Sequence, residues 1–219
     1  MKKPTILFIS LAIVFLVPFL YREGILLKKI ELPQGIIQNK DFFLKQRISV
    51  LKNKYDIVDS KSDPKYFLRI ENPYFTNVTF ENYSTTSGYV FFVIDDYLLY
   101  GDIIKAITFF GPEIEELDKT DEYAKAIVKQ CSQLYGNDYI IADWDTHRDN
   151  IELRSPKIVW QTESCAIVFI YTPYDVYLKL EDKIQYPPSG YTLRFAYGLH
   201  FLDKLKLSPY WTREKLGLD

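Results

Sequence analysis

Two cysteines and two histidines are all that 219 residues contain, and this scarcity removes several chemistries at once. There is no CxxC pair and no Cys/His cluster at zinc-like spacing, so a structural zinc site is excluded. A Ser/His or Cys/His mechanism would have to use His147 or His200. The chain has no G-x-S-x-G elbow, no Walker A loop and no G-x-G-x-x-G fingerprint, which removes the usual signatures of a hydrolase nucleophile, a P-loop and a dinucleotide site. It also lacks internal repeats, heptads and low-complexity tracts, and a single continuous fold is expected.

Charge is missing from one place in particular. Residues 5–21 read TILFISLAIVFLVPFLY, with Lys2 and Lys3 before them and Arg22 after. At a rise of about 1.5 Å per residue this run makes roughly 25 Å of helix, at the short end for crossing a bilayer core, and snorkelling by Lys3 and Arg22 covers the deficit. A cleaved signal peptide is the rival reading, but no small-x-small site follows the apolar run. No cysteine lies nearby either, which excludes a lipidated N-terminal cysteine. An N-terminal membrane anchor over residues 1–22 is therefore expected, then a connector over 23–40 and one domain over 41–219. The basic flanks are nearly equal, so the positive-inside rule hardly discriminates. The short tail before Thr5 favours an inside N-terminus, giving a single-pass protein with its domain on the periplasmic or extracellular side.

The chain carries 27 Lys+Arg against 29 Asp+Glu; residues 1–30 hold 5 basic and 1 acidic, which leaves 22 against 28 and a net charge near −6 beyond the anchor. Nucleic-acid affinity rests on neutralising phosphates, so that partner class is set aside. The 18 Tyr and 15 Phe suit half-buried pleated surfaces.

Short β-rich runs occupy residues 66–110: YFLRI, TNVTF, YVFFVI, YLLY and IIKAITFF, broken at Asn72-Pro73, Ser87-Gly88, Asp95-Asp96 and Gly101-Asp102. They predict an antiparallel meander. A helix follows, with Thr120 as N-cap, Gly136 past its end and an apolar stripe of Ala124, Ile127, Cys131 and Leu134. Three further strands are expected at 139–142, 157–161 and 165–171, with a turn at 162–164. The alternation of Tyr174, Val176, Leu178 and Leu180 predicts another strand. Helical spacing predicts a helix over 41–54, whose Lys45, Arg47, Lys52 and Lys54 form a solvated or lipid-facing side, and a short helix over 195–207. The expected fold class is α+β, a mostly antiparallel sheet packed by one or two helices. Cys131 would point at the sheet, toward Cys165; one disulfide in an oxidising compartment and two buried thiols are both compatible with that.

Asp143-Trp144-Asp145-Thr146-His147 is the candidate site, because it ends an apolar run and supplies two carboxylates and an imidazole to a divalent cation. An apolar strand ending in D-x-D resembles, over about nine residues, the metal-binding motif of nucleotide-sugar glycosyltransferases. That resemblance implies a metal that neutralises a diphosphate, held by Asp143, Asp145 and His147 in a transferase or hydrolase. The same residues also suit a polar turn with Trp144 packed on the domain. The favoured functional expectation is a membrane-tethered, noncatalytic envelope domain without a cofactor, acting through contacts with protein or another envelope component.

Overall fold

The computed structural model describes residue 16 and residues 28–33, 41–59, 65–70, 88–95, 102–110, 117–180, 192–197 and 205–219. The anchor at 5–21 lies outside these apart from Leu16, as do the runs at 76–80 and 97–100 and His200. Among the described residues no helix is long and apolar enough to cross a membrane.

The elements in chain order are β1 (Ile30–Glu31), β2 (Phe43–Leu44), α1 (Ile48–Lys52), β3 (Val58–Asp59), β4 (Lys65–Ile70), β5 (Gly88–Asp95), β6 (Ile103–Phe110) and α2 (Thr120–Tyr135). They continue with β7 (Tyr139–Asp143), β8 (Pro156–Gln161), β9 (Ala166–Ile170), α3 (Tyr174–Leu180), β10 (Thr192–Ala196) and α4 (Arg213–Leu216). Strands β3 to β10 form one eight-stranded sheet in the order β3-β4-β5-β6-β10-β9-β8-β7, and each neighbouring pair is antiparallel. The mixed α+β class with an antiparallel sheet is therefore observed.

Side chains alternate across the sheet, as a two-residue period requires. Phe92, Phe109, Phe195, Phe169 and Trp160 point to one face and are fully buried there. That face is covered by α2 through Tyr123, Ala124, Ile127, Val128 and Cys131, and by the N-terminal Phe42, Leu44, Ile48 and Leu51. Phe42 meets Phe92 edge-on at 5.3 Å, and Phe109 meets Phe195 likewise at 5.9 Å. The other face holds a smaller cluster of Val159, Ala166 and Val168 beneath Ile170 and Leu205.

Several expectations are corrected. Residues 174–180 are helical, not a strand: Val176 and Leu180, four apart, are buried while Leu178 is exposed. Pro173 precedes the helix, and Asp121 Oδ1, from the first turn of α2, accepts the Tyr174 N–H at 3.2 Å. The second correction concerns 41–54, which hold β2 and the short α1 in place of one helix. Lys45 takes φ 60°, and the Lys45 N–H and Gln46 C=O bond Ile104 at 2.9 and 2.8 Å, so those groups serve strand pairing and not helix. The third is Phe195, which lies in β10, the strand between β6 and β9. In α2, Lys119 and not Thr120 is the N-cap, and the stripe drifts at its end so that Tyr135 is half-buried and Leu134 exposed.

Burial raises the Asp121 carboxyl above its ordinary range, opposed by its bond from Tyr174 and by Lys125. A carboxyl raised in the folded state disfavours folding when ionised; this cost is present above the folded pKa and vanishes below the unfolded one, near pH 3.9. Asp121→Asn keeps the acceptor and removes the charge, so urea denaturation at neutral pH should find it at least as stable as the parent, with its advantage lost in acid. Asp121→Ala, which uncaps α3, should cost about 1 kcal/mol.

Candidate functional site

Asp143 ends β7 with its side chain only 4% exposed, and its Oδ2 accepts a hydrogen bond from Arg154 Nη1 at 3.2 Å. Arg154 Nε donates to the Arg148 carbonyl at 2.7 Å, and the Arg154 carbonyl accepts from Trp211 Nε1 at 2.6 Å. One arginine thus ties the strand end, the following loop and the C-terminal segment together. Asp145 turns the loop with φ 53°, its carbonyl accepts the Arg148 N–H at 2.9 Å, and its carboxylate lies 3.7 Å from Arg148 Nε. His147 is exposed.

The two carboxylates of D-x-D are therefore held by different arginines, and His147 joins neither. Among the described residues no three acidic, histidine or cysteine side chains are grouped to hold a metal ion. A cation site needs oxygens converging on one point. Here the acids brace a loop. Cys131 and Cys165 are free, buried thiols of the same core cluster. Burial pushes both thiols up, which suppresses the reactive thiolate.

On the other side of the Asp143 backbone, Ile140, Ala142 and Trp144 share one face at two-residue spacing. Trp144 is 41% exposed and Ile140 38%, and Lys157 Nζ stands 5.4 Å from the Trp144 ring centre. Strand β7 is the outermost strand at its end of the sheet. A single bridge, Ala142 to Leu207, continues beyond it, and Leu207 is 73% exposed. Burial and then the Arg194 guanidinium lower the Lys157 pKa, against a pull from Asp143.

A cleft of about 520 Å³ lies between α2 and the C-terminal segment. Lys125, Lys129, Ser132 and Gln133 recur at three- and four-residue spacing on α2 and form one wall. Asn137 and Tyr139 lie at its base end, where the chain enters β7. Arg213, Leu218 and Asp219 form the opposite wall. That wall is shaped by α4, which is N-capped by Thr212, whose side chain accepts the Lys215 N–H at 3.2 Å. It stops at Gly217 in the left-handed region, φ 61°, with Leu218 N–H on the Arg213 carbonyl at 2.9 Å. Arg213 lies over the Tyr139 ring at 4.2 Å, and its Nη2 donates to the Asn137 carbonyl at 2.6 Å. The Lys125 side chain runs against Gly217, where an added Cβ would stand 2.8 Å from its Nζ. Burial raises the Tyr139 hydroxyl pKa, with Arg213 lowering and Asp219 raising it.

The Lys125/Lys129 pair was visible in sequence as like charges four apart on a helix face, but no sequence signal connects it to Arg213. Comparison with family models, with characterised proteins and with solved structures finds no match to this chain.

Arg154→Ala would leave the Asp143 carboxylate buried and without its cation, which should cost roughly 3 kcal/mol in urea denaturation. The Asp143→Ala/Arg154→Ala double variant should recover part of that loss, because no lone charge stays buried. If the double variant is less stable than Arg154→Ala by the full effect of Asp143→Ala alone, the two side chains are not coupled.

Proposed function

We propose that this chain is a membrane-tethered, noncatalytic domain of the cell envelope, single-pass through residues 5–21, with the domain on the outer side, working through contact with a protein or another envelope component. The observation that carries the contact reading is the row of exposed apolar side chains on β7 and beside it: Ile140, Trp144 and Leu207. Solvent contact with large apolar groups is unfavourable, and clustered ones mark interaction surfaces more often than scattered ones do. A tryptophan with a lysine over its face supplies an amphipathic anchor of the sort that dominates contact energies. The tether reading is supported by the charge-free run at 5–21 with basic residues on both flanks. The noncatalytic reading is supported by the use of Asp143 and Asp145 as braces of their own loop. The net negative charge beyond the anchor supports a partner other than nucleic acid.

A photo-crosslinking residue at position 144 of the full chain, activated in intact cells, tests this directly. The chain should fractionate with membranes and form a discrete adduct from position 144, but not from position 163 in the exposed β8–β9 turn. Recovery of the chain in the soluble fraction would overturn the tether. The same adducts from both positions would overturn the contact surface.

A further inference from the structure

The cleft between α2 and the C-terminal segment has more cationic groups than the protein itself satisfies. Lys125 and Lys129 project from successive turns of α2, and Arg213 faces them from α4. Among the described residues neither lysine ammonium takes part in an ion pair, and each has three donors to offer. Arg213 is held in place by its stacking on Tyr139 and its bond to Asn137, both of which leave the rest of its fork available. Among the described residues Asp219 is the one acidic residue that lines the cleft.

Like charges gathered at one place repel, and a cleft that sets Lys125, Lys129 and Arg213 against the single side chain of Asp219 keeps an excess of positive charge that favours an anion from outside. A pre-positioned guanidinium beside two point-charge ammoniums matches a tetrahedral phosphate, whose several oxygens accept from different directions, better than a flat carboxylate. At about 520 Å³ the cleft is larger than a bare phosphate needs. Val128 and Leu218 offer apolar contact to the body of such a ligand, and Ser132 and Gln133 offer polar contact.

We propose that this cleft binds a phosphate-bearing ligand, with the phosphate held by Lys125, Lys129 and Arg213. The phosphate belongs either to a soluble phosphate ester or to a lipid headgroup. The site does not depend on the β7 contact surface, which is a separate part of the molecule's chemistry.

The test uses the full chain in uncharged detergent, labelled with ¹⁵N-lysine, titrated at constant ionic strength with inorganic phosphate, glycerol 3-phosphate and a short-chain phosphatidic acid, with chloride as control. The Lys125 and Lys129 amides should shift saturably with inorganic phosphate, at a midpoint on the order of 1 mM for so small a ligand. Tighter binding of glycerol 3-phosphate would assign a soluble ester, and tighter binding of the phosphatidic acid a headgroup. Lys129→Glu should weaken binding roughly tenfold or more, whereas Lys129→Arg should keep it, as the loss or retention of a charge-assisted bond predicts. Lys129 is exposed, so neither change threatens folding. The proposal is overturned if none of the three phosphates gives more than the chloride response, or if Lys129→Glu titrates with the midpoint of the parent.

Discussion

Five residues hold the sheet together. Without β10, the chain would present two separate antiparallel groups, β3 to β6 and β7 to β9, each with an open edge. Thr192–Ala196 closes the gap by pairing with β6 on one side and β9 on the other, in register along its whole length. Its inward residues, Leu193 and Phe195, are fully buried, and Phe195 lies edge-on to Phe109 of the first group. Burying a side chain of that size contributes about 2–3 kcal/mol, and the strand adds paired backbone on both edges. Everything of functional interest lies on the β7 side of this joint: the Asp143 loop, the exposed row at Trp144 and the entry to the cleft at Tyr139.

Charge does two different jobs on that side. Where carboxylate and guanidinium are brought together out of water, as at Asp143 and Arg154, the pair fixes the shape of a loop. Where cations outnumber carboxylates at a surface, as Lys125, Lys129 and Arg213 do beside Asp219, the arrangement costs a little repulsion and favours an anion. Asp121 shows a third use. Its carboxylate caps a neighbouring helix across the chain, although burial makes the ionised form less comfortable.

Much of this was legible in the amino-acid sequence where the signal is local. The β-rich runs bounded by turn residues at β5, β6, β8 and β9 and the Gly136 stop of α2 identified those elements because strand propensity and glycine geometry act over a few residues. What failed depended on distant partners. The two-residue alternation at 174–180 reads as a strand until Asp121 caps it as a helix. The helical spacing at 41–54 is real, but the backbone there is claimed by Ile104. β10 overlaps a stretch that reads as a short helix, and its position in the middle of the sheet is a long-range pairing. The D-x-D pattern at the end of an apolar run carries no sign of what holds its carboxylates. The arginine 11 residues away that holds its first carboxylate is an ordinary residue in the sequence and a decisive one in the structure.

β10 joins the two groups of strands into one sheet, which should unfold as one cooperative unit. Native-state hydrogen exchange measures this directly, since amides released only by complete unfolding report the global stability. The β10 amides bonded to β6 and β9 should exchange as slowly as the most protected amides of those two strands. Fast exchange in β10 while β6 and β9 stay protected would show two independent sheets, and would contradict it.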